Sequence, residues 1–334
     1  MHIAIRADGG PSIGYGHLVR TGALAETLLE RGHAVTYATT TPENVGVAAP
    51  DEVKRIELPS RSNVRPFLDR IDEAVDTVVL DTYTADLEYQ RAIRSNFPLA
   101  LISDRAQTPV CADLVVNGNL YASSLEYHTK GEEPEWLLGP EYLLLRRAVR
   151  RLTKHDPPWR EQPERAIITM GGSDMGGLTP TVIRAFDGAD LRVEAIVGPG
   201  FSEQQEGTIR KAARSVPSNV HVVRNPSNLP ERMFEADLAV ATASTTIYEL
   251  LALGTPIVAG VVAENQEQIA NSIQKRDLAT VVGPDCSLTA FSAAIKRYLN
   301  DPELRQRRQL CGCNLVDGHG VKRVTDELER LVTE

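Results

Sequence analysis

Apolar residues along the chain fall into short runs separated by segments of helical periodicity. Ile3, Ile5 and Ala7 alternate with polar neighbours and predict a first strand. Leu18, Leu24, Ala25, Leu28 and Leu29 then recur at helical spacing over residues 18–30. Further strands are predicted at 34–39, 77–81, 99–103 and 113–116. The rhythm breaks over 146–164, a charged stretch containing Pro157, Pro158 and Pro163, which reads as a linker. It resumes with strands at 166–170, 193–197, 220–223, 238–241, 256–262 and 280–282. Helices are predicted at 245–253 and 266–275, and the chain reads as helical after residue 287. This alternation predicts an α/β protein of two doubly wound units with parallel sheets. Their expected bounds are 1–147 and 165–334, joined by a linker at 148–164. Ligands of such sheets bind beyond the strands' C-terminal ends, so an inter-domain cleft is the expected site.

Composition narrows the function. The length of 334 residues is about two domains at roughly 150 residues each. Lys and Arg total 36 against 45 Asp and Glu, a net charge of −9. That argues against nucleic-acid backbone or anionic membrane as a partner, yet leaves room for a local site for one small anion. Cys111, Cys286, Cys311 and Cys313 are too few for a disulfide scaffold. Cys311-Gly-Cys313 is their single close pair, so zinc is not expected. The N-terminus has no basic n-region, and no stretch approaches the ~20 apolar residues of a membrane span. A soluble cytoplasmic protein is expected, with no nucleic-acid partner and no membrane span. Its oligomeric state is left open.

Three segments carry candidate chemistry. The first runs from Asp8 through Gly9, Gly10, Gly14 and Gly16 to His17, between the first strand and the first helix. Glycines there allow positive φ and close approach to a ligand, although a plain structural turn fits equally. It is neither a strict G-x-G-x-x-G nor a Walker A loop. His17 closes the turn at a helix start, where a neutral imidazole can accept a proton. The second is Met170-Gly171-Gly172-Ser173-Asp174, whose amides and Ser173 can hold a pyrophosphate. The third holds Ser244, Thr245 and Thr246, with Ser244 as the expected N-cap, and Glu249. A carboxylate there can accept from a ribose diol, or can simply be a helix-favouring surface Glu. No Asp-x-Asp motif stands at a strand end, so metal-independent chemistry is expected.

Together these motifs resemble the UDP-2,4-diacetamido-2,4,6-trideoxy-β-L-altropyranose hydrolases of pseudaminic-acid biosynthesis. The likeness begins with Arg6-Ala7-Asp8-Gly9 and Gly14-Tyr15-Gly16-His17-Leu18-Val19-Arg20. It continues through Asp81-Thr82-Tyr83, the stretch from Leu138 to Arg146, and Met170 to Asp174. It ends with Glu249 to Pro256 and Ala263-Glu264-Asn265-Gln266. More distantly, the pattern is similar to the peptidoglycan transferase that adds N-acetylglucosamine to lipid I. The resemblance implies a GT-B-like fold of two Rossmann-like domains, a UDP-sugar as small-molecule partner, and no cofactor. It implies His17 as the base that activates water. It also implies sugar-side contacts from Tyr83 and Asn265, with Gly14, Gly16, Arg20 and Gln266 as further substrate-binding residues. Glu249 would hold the ribose. Gly171, Gly172, Ser173, Ser244, Thr245 and Thr246 would hold the diphosphate, and the segment 225–229, with Leu229, the uracil. Thr82, Thr84 and Ser103 depart from the family on the sugar side. A different sugar, or a glycosyltransferase with another acceptor, is therefore the alternative.

Overall fold

The computed structural model describes residues 1–10, 13–283 and 285–333. Among the described residues thirteen strands form two sheets, and every pairing between these strands is parallel. The first sheet holds β1 (His2–Ala7), β2 (Ala34–Thr39), β3 (Lys54–Glu57), β4 (Thr77–Asp81), β5 (Leu99–Ile102), β6 (Leu114–Asn117) and β7 (Glu135–Leu138). Its order is β3-β2-β1-β4-β5-β6-β7. The second holds β8 (Arg165–Thr169), β9 (Arg192–Val197), β10 (Asn219–Arg224), β11 (Leu238–Thr242), β12 (Ile257–Gly260) and β13 (Ala279–Val282). Its order is β10-β9-β8-β11-β12-β13. A parallel sheet is covered on both faces, so its central strands are apolar throughout. β4 and β11 are buried at every position.

Both sheets reverse their winding once, at β1/β4 in the first and at β8/β11 in the second. Loops leaving adjacent strands there diverge to opposite faces and open a crevice at the strands' C-terminal ends. The two Rossmann-like domains are those of a GT-B-like fold. The hydrophobic pattern predicts the inner strands to within a few residues. It misses the outer strands β3 and β7, of which β3 exposes Lys54, Arg55 and Glu57 and has no apolar run to mark it.

The chain divides into two compact units, but not in sequence order. The first is Met1–Arg147 with the chain from Gly318 onward, and the second is Ala148–Asp317. The expected 165–334 unit is thus corrected at its end. The helix Gly320–Thr333 returns to the first unit, burying Val321, Val324, Thr325 and Leu328 along one face. Those aliphatic side chains join the cluster of Ile3, Ile5, Leu24 and Leu28. Gly320 is required for that return, since a Cβ there would lie 2.3 Å from the Leu143 carbonyl oxygen. Arg31 completes the seam, donating to Asp326 at 2.7 Å and to Glu329 at 2.9 Å.

The expected linker 148–164 is also corrected, because it packs on the second unit. Arg160 pairs with buried Asp237 at 3.0 Å, and Gln309 donates to the Pro158 carbonyl at 2.8 Å. The buried Arg305 guanidinium donates to the carbonyls of Arg160 and Glu161. The prolines remove donors from this segment but leave its carbonyls as acceptors, and the unit uses them.

Leu328→Ala should cost about 3 kcal/mol, because a fully buried side chain is lost from a filled core. The measurement is denaturant unfolding followed by a probe in the first unit. A change under ~0.5 kcal/mol would mean that the terminal helix is not part of that core.

Candidate functional site

At the β1/β4 switch the chain builds a charged cluster. After β1 a glycine turn closes on itself, with Gly10 N donating to Gly14 O at 3.1 Å and Gly14 N to Gly10 O at 2.8 Å. Gly14 holds φ 90°, a conformation that favours glycine. Pro11 and Ser12 of this predicted segment lie outside the described residues. The helix Gly16–Glu30 follows, with no side-chain cap at Tyr15. His17 and Arg20, one turn apart on that helix, both face the end of β4.

There Asp81 accepts from three donors. His17 Nδ1 lies 2.6 Å from Oδ1, and Arg20 reaches Oδ2 through Nε and Oδ1 through Nη2, each at 2.6 Å. Arg20 Nη1 spans both oxygens of Asp104, just past β5, at 2.7 and 2.8 Å. Asp104 also accepts from Tyr83 Oη at 2.9 Å and from Asn119 Nδ2 at 3.0 Å. The Tyr83 ring stands edge-on to the His17 imidazole, centroids 4.6 Å apart.

Electrostatics fix the protonation pattern. Burial pushes the Asp81 carboxyl up, but Arg20 and then His17 outweigh it and hold Asp81 well below the usual carboxylate range. Burial likewise raises Asp104 and Arg20 more than reverses it, leaving that carboxyl net lowered. Tyr83 is pushed up, first by partial desolvation and then by the Asp104 charge, so its phenol keeps its proton. Two groups approach His17 Nδ1: Asp81 at 2.6 Å and Arg20 Nη2 at 3.2 Å. An ionised carboxylate can only accept, so the shorter contact puts the proton on Nδ1. Nε2 then carries the lone pair. This is the arrangement in which a carboxylate sets a histidine's tautomer and supports its protonated form.

The second unit presents a different surface at β8/β11. Gly171 (φ 74°) opens the loop after β8. Asp174 then ties the loop to the next helix, accepting from Leu178 N at 2.9 Å, Thr179 N at 3.0 Å and Thr179 Oγ1 at 2.7 Å. Gly200 N donates to Gly172 O at 2.8 Å, and a Cβ on Gly198 would lie 2.7 Å from that oxygen. Gly172 and Ser173 are therefore held by their neighbours' backbones. After β11 the helix Thr246–Ala252 begins at Thr245, with no side-chain cap. Ser244 as N-cap is thus corrected: its hydroxyl accepts from Thr242 at 3.5 Å, because the backbone turns into the helix one residue later. Glu249 is 8% exposed, which removes the surface-Glu alternative.

Leu229 starts the helix Leu229–Phe234 after β10, just beyond Asn225, which holds φ 41°. Asn265 is exposed in the turn Glu264–Gln266 after β12, and Gln266 accepts from Val262 N at 2.9 Å. All these predicted residues of the second unit lie on, or on elements entered from, the loops that leave one edge of its sheet. Direct contacts bring together His17, Arg20 and Tyr83 in the first unit. Sequence reasoning missed Asp81 and Asp104 as their anchors. Each ends or follows a strand, and that position was the available signal. Among the described residues no group of three or more His, Cys, Asp or Glu is placed to hold a metal ion. No helix among them is long and apolar enough to cross a membrane.

No protein-family model matches the chain. The spore coat polysaccharide biosynthesis protein SpsG of Bacillus subtilis is 24% identical over 344 residues, covering 99% of this chain and 98% of that protein. The UDP-2,4-diacetamido-2,4,6-trideoxy-beta-L-altropyranose hydrolase of Campylobacter jejuni is 24% identical over 285 residues, 83% of this chain and 97% of that enzyme. The uncharacterized protein MJ1062 of Methanocaldococcus jannaschii is 25% identical over 309 residues; the match takes in 85% of this chain but 60% of that longer protein. Among solved structures, MurG of Acinetobacter baumannii superposes with a TM-score of 0.70 at 14% identity, over 98% of this chain and 99% of MurG. The calicheamicin glycosyltransferase CalG4 gives 0.68 at 16% identity, over 100% and 98%. These likenesses establish the fold.

Asp81→Asn should remove the charge that holds the Nδ1 proton, put an N–H donor where one carboxylate oxygen stood, and leave Arg20 short of a carboxylate. Histidine ¹⁵N NMR should show the Nδ1–H tautomer in the wild type and its loss in the variant, with stability lower by about 3 kcal/mol. Because folded Asp81 titrates below its unfolded value, its contribution is complete above roughly pH 4 and is lost as pH falls toward the folded value. The wild type should therefore lose stability on acidification more steeply than the variant.

Proposed function

We propose that the protein is a UDP-sugar hydrolase that releases UDP from a UDP-2,4-diacetamido-2,4,6-trideoxyhexose, as the name of the Campylobacter jejuni relative states for that enzyme. The observation that carries this reading is the Asp81–His17 pair at the β1/β4 switch. His17 Nε2 takes a proton from water while the water oxygen bonds to the anomeric carbon. The bond from that carbon to the diphosphate oxygen breaks, and UDP leaves with the electron pair. The proton stays on His17, beside the Asp81 charge that supports the imidazolium. Tyr83 Oη, held by Asp104, stays protonated and serves as a sugar-side contact.

In the same reading the second unit takes the nucleotide. Amides of Gly171, Gly172 and Ser173 and the hydroxyls of Ser244, Thr245 and Thr246 bind the diphosphate. Their neutral donors stabilise the leaving charge without prior reorganisation. Glu249 accepts from the ribose diol, and the backbone of 225–229 faces uracil. The likeness in fold to CalG4, a glycosyltransferase by name, supports a second reading in which the same residues activate an acceptor hydroxyl in place of water.

The test measures free UDP from a panel of UDP-sugars without acceptor, with and without EDTA. Hydrolysis predicts release from the diacetamido donor and no effect of the chelator. His17→Ala should lower kcat by roughly a hundredfold or more with UDP affinity nearly unchanged. Glu249→Ala should weaken UDP binding about tenfold or more, since a buried carboxylate acceptor is lost. Release only on adding an acceptor would establish the transferase instead. Equal loss of rate and affinity in His17→Ala would make the histidine structural.

A further inference from the structure

One cation beside Tyr83 has no part in the network above. Arg105 follows Asp104 in the loop after β5, and its guanidinium carbon lies 4.0 Å from the Tyr83 ring centroid. Among the described residues no carboxylate is within ion-pair distance of it. The two carboxylates of the cluster, Asp81 and Asp104, are taken up by other donors. Asp81 takes three donors, and Asp104 takes Arg20 twice, Tyr83 and Asn119.

The guanidinium is nevertheless held in place. Ser103 Oγ donates to the Arg105 carbonyl at 2.8 Å, which pins the loop. Tyr83 is fixed by its hydroxyl on Asp104 and its edge on His17. A cation–π contact engages the guanidinium through its charge and uses none of its N–H groups as donors to a lone pair, so its planar fork of donors can still serve an oxygen acceptor. Tyr83 is 46% exposed and Arg105 is exposed, so the guanidinium lies solvent-accessible on the tyrosine whose ring meets His17. Its complement is a planar acyl group whose oxygen lies in the plane of the donors.

We infer that Arg105 is a specificity-determining residue that binds an acyl oxygen on the sugar presented to His17. An N-acyl substituent is the expected source, and a sugar carboxylate offers the same oxygen chemistry. The inference rests on the UDP-sugar reading and names the sugar feature selected.

Competition against UDP, read before turnover accumulates, gives the affinities of UDP-glucose, UDP-N-acetylglucosamine and UDP-glucuronate for wild type, Arg105→Gln and Arg105→Lys. Arg105→Gln should weaken the acyl-bearing ligands about tenfold and leave UDP and UDP-glucose unchanged. Arg105→Lys, which keeps the charge without the fork, should fall between. A loss confined to UDP-glucuronate would assign the fork to a carboxylate; a loss on UDP-N-acetylglucosamine assigns it to the N-acyl oxygen. Equal changes on all ligands including UDP, or none on any, would overturn the inference. Absence of UDP release would refute the hydrolase reading and leave these affinity ratios intact, whereas flat ratios with UDP release intact would refute only the role of Arg105.

Discussion

The Asp81 carboxylate is the constraint on which the first unit's site depends. It lies at the end of a fully buried strand, 1% exposed, where an isolated charge would be untenable. Arg20 makes it tolerable by covering both oxygens, and His17 takes the remaining position on Oδ1. Arg20 must then satisfy its last donor, and Asp104 supplies the oxygens. Asp104 in turn orients Tyr83, whose ring edge confines His17 from the other side. Each member is thus placed by the need to compensate its neighbour's charge. Such a network specifies one arrangement, because loss of any partner strands a buried ion.

The second unit solves its local problem with backbone instead of charge. Its loop after β8 is drawn tight by Asp174 at one end and by the approach of Gly198 and Gly200 at the other. The hydroxyls after β11 are not used as helix caps. A surface of amides and hydroxyls can serve an anion in a chain whose net charge is −9, because it relies on short-range dipoles and not on the long-range field.

Much of this was legible in the sequence, and the parts that were not share a cause. Inner strands announce themselves because both faces are buried, as in Val78, Val79 and Leu80. Edge strand β3 does not, because Lys54, Arg55 and Glu57 are exposed and leave Ile56 as its single apolar residue. His17 stood out by its place after a glycine turn. Asp104 did not, because its significance lies in meeting Arg20, 84 positions away in sequence. The prolines of 148–164 suggested a free linker, and only packing shows that Arg160 and Pro158 are anchored.

The sequence by itself determined the α/β class, the two-unit length and the glycine turns, since periodicity and backbone freedom are local properties. Tertiary structure alone decided three things. It returned the terminal helix to the first unit, because Val321, Val324 and Leu328 have their partners there. It turned a histidine into an oriented one by bringing Asp81 within 2.6 Å. It left Arg105 on Tyr83 with no carboxylate partner among the described residues. Each depends on residues distant in the chain meeting where charge and volume must balance, and no local pattern encodes that meeting.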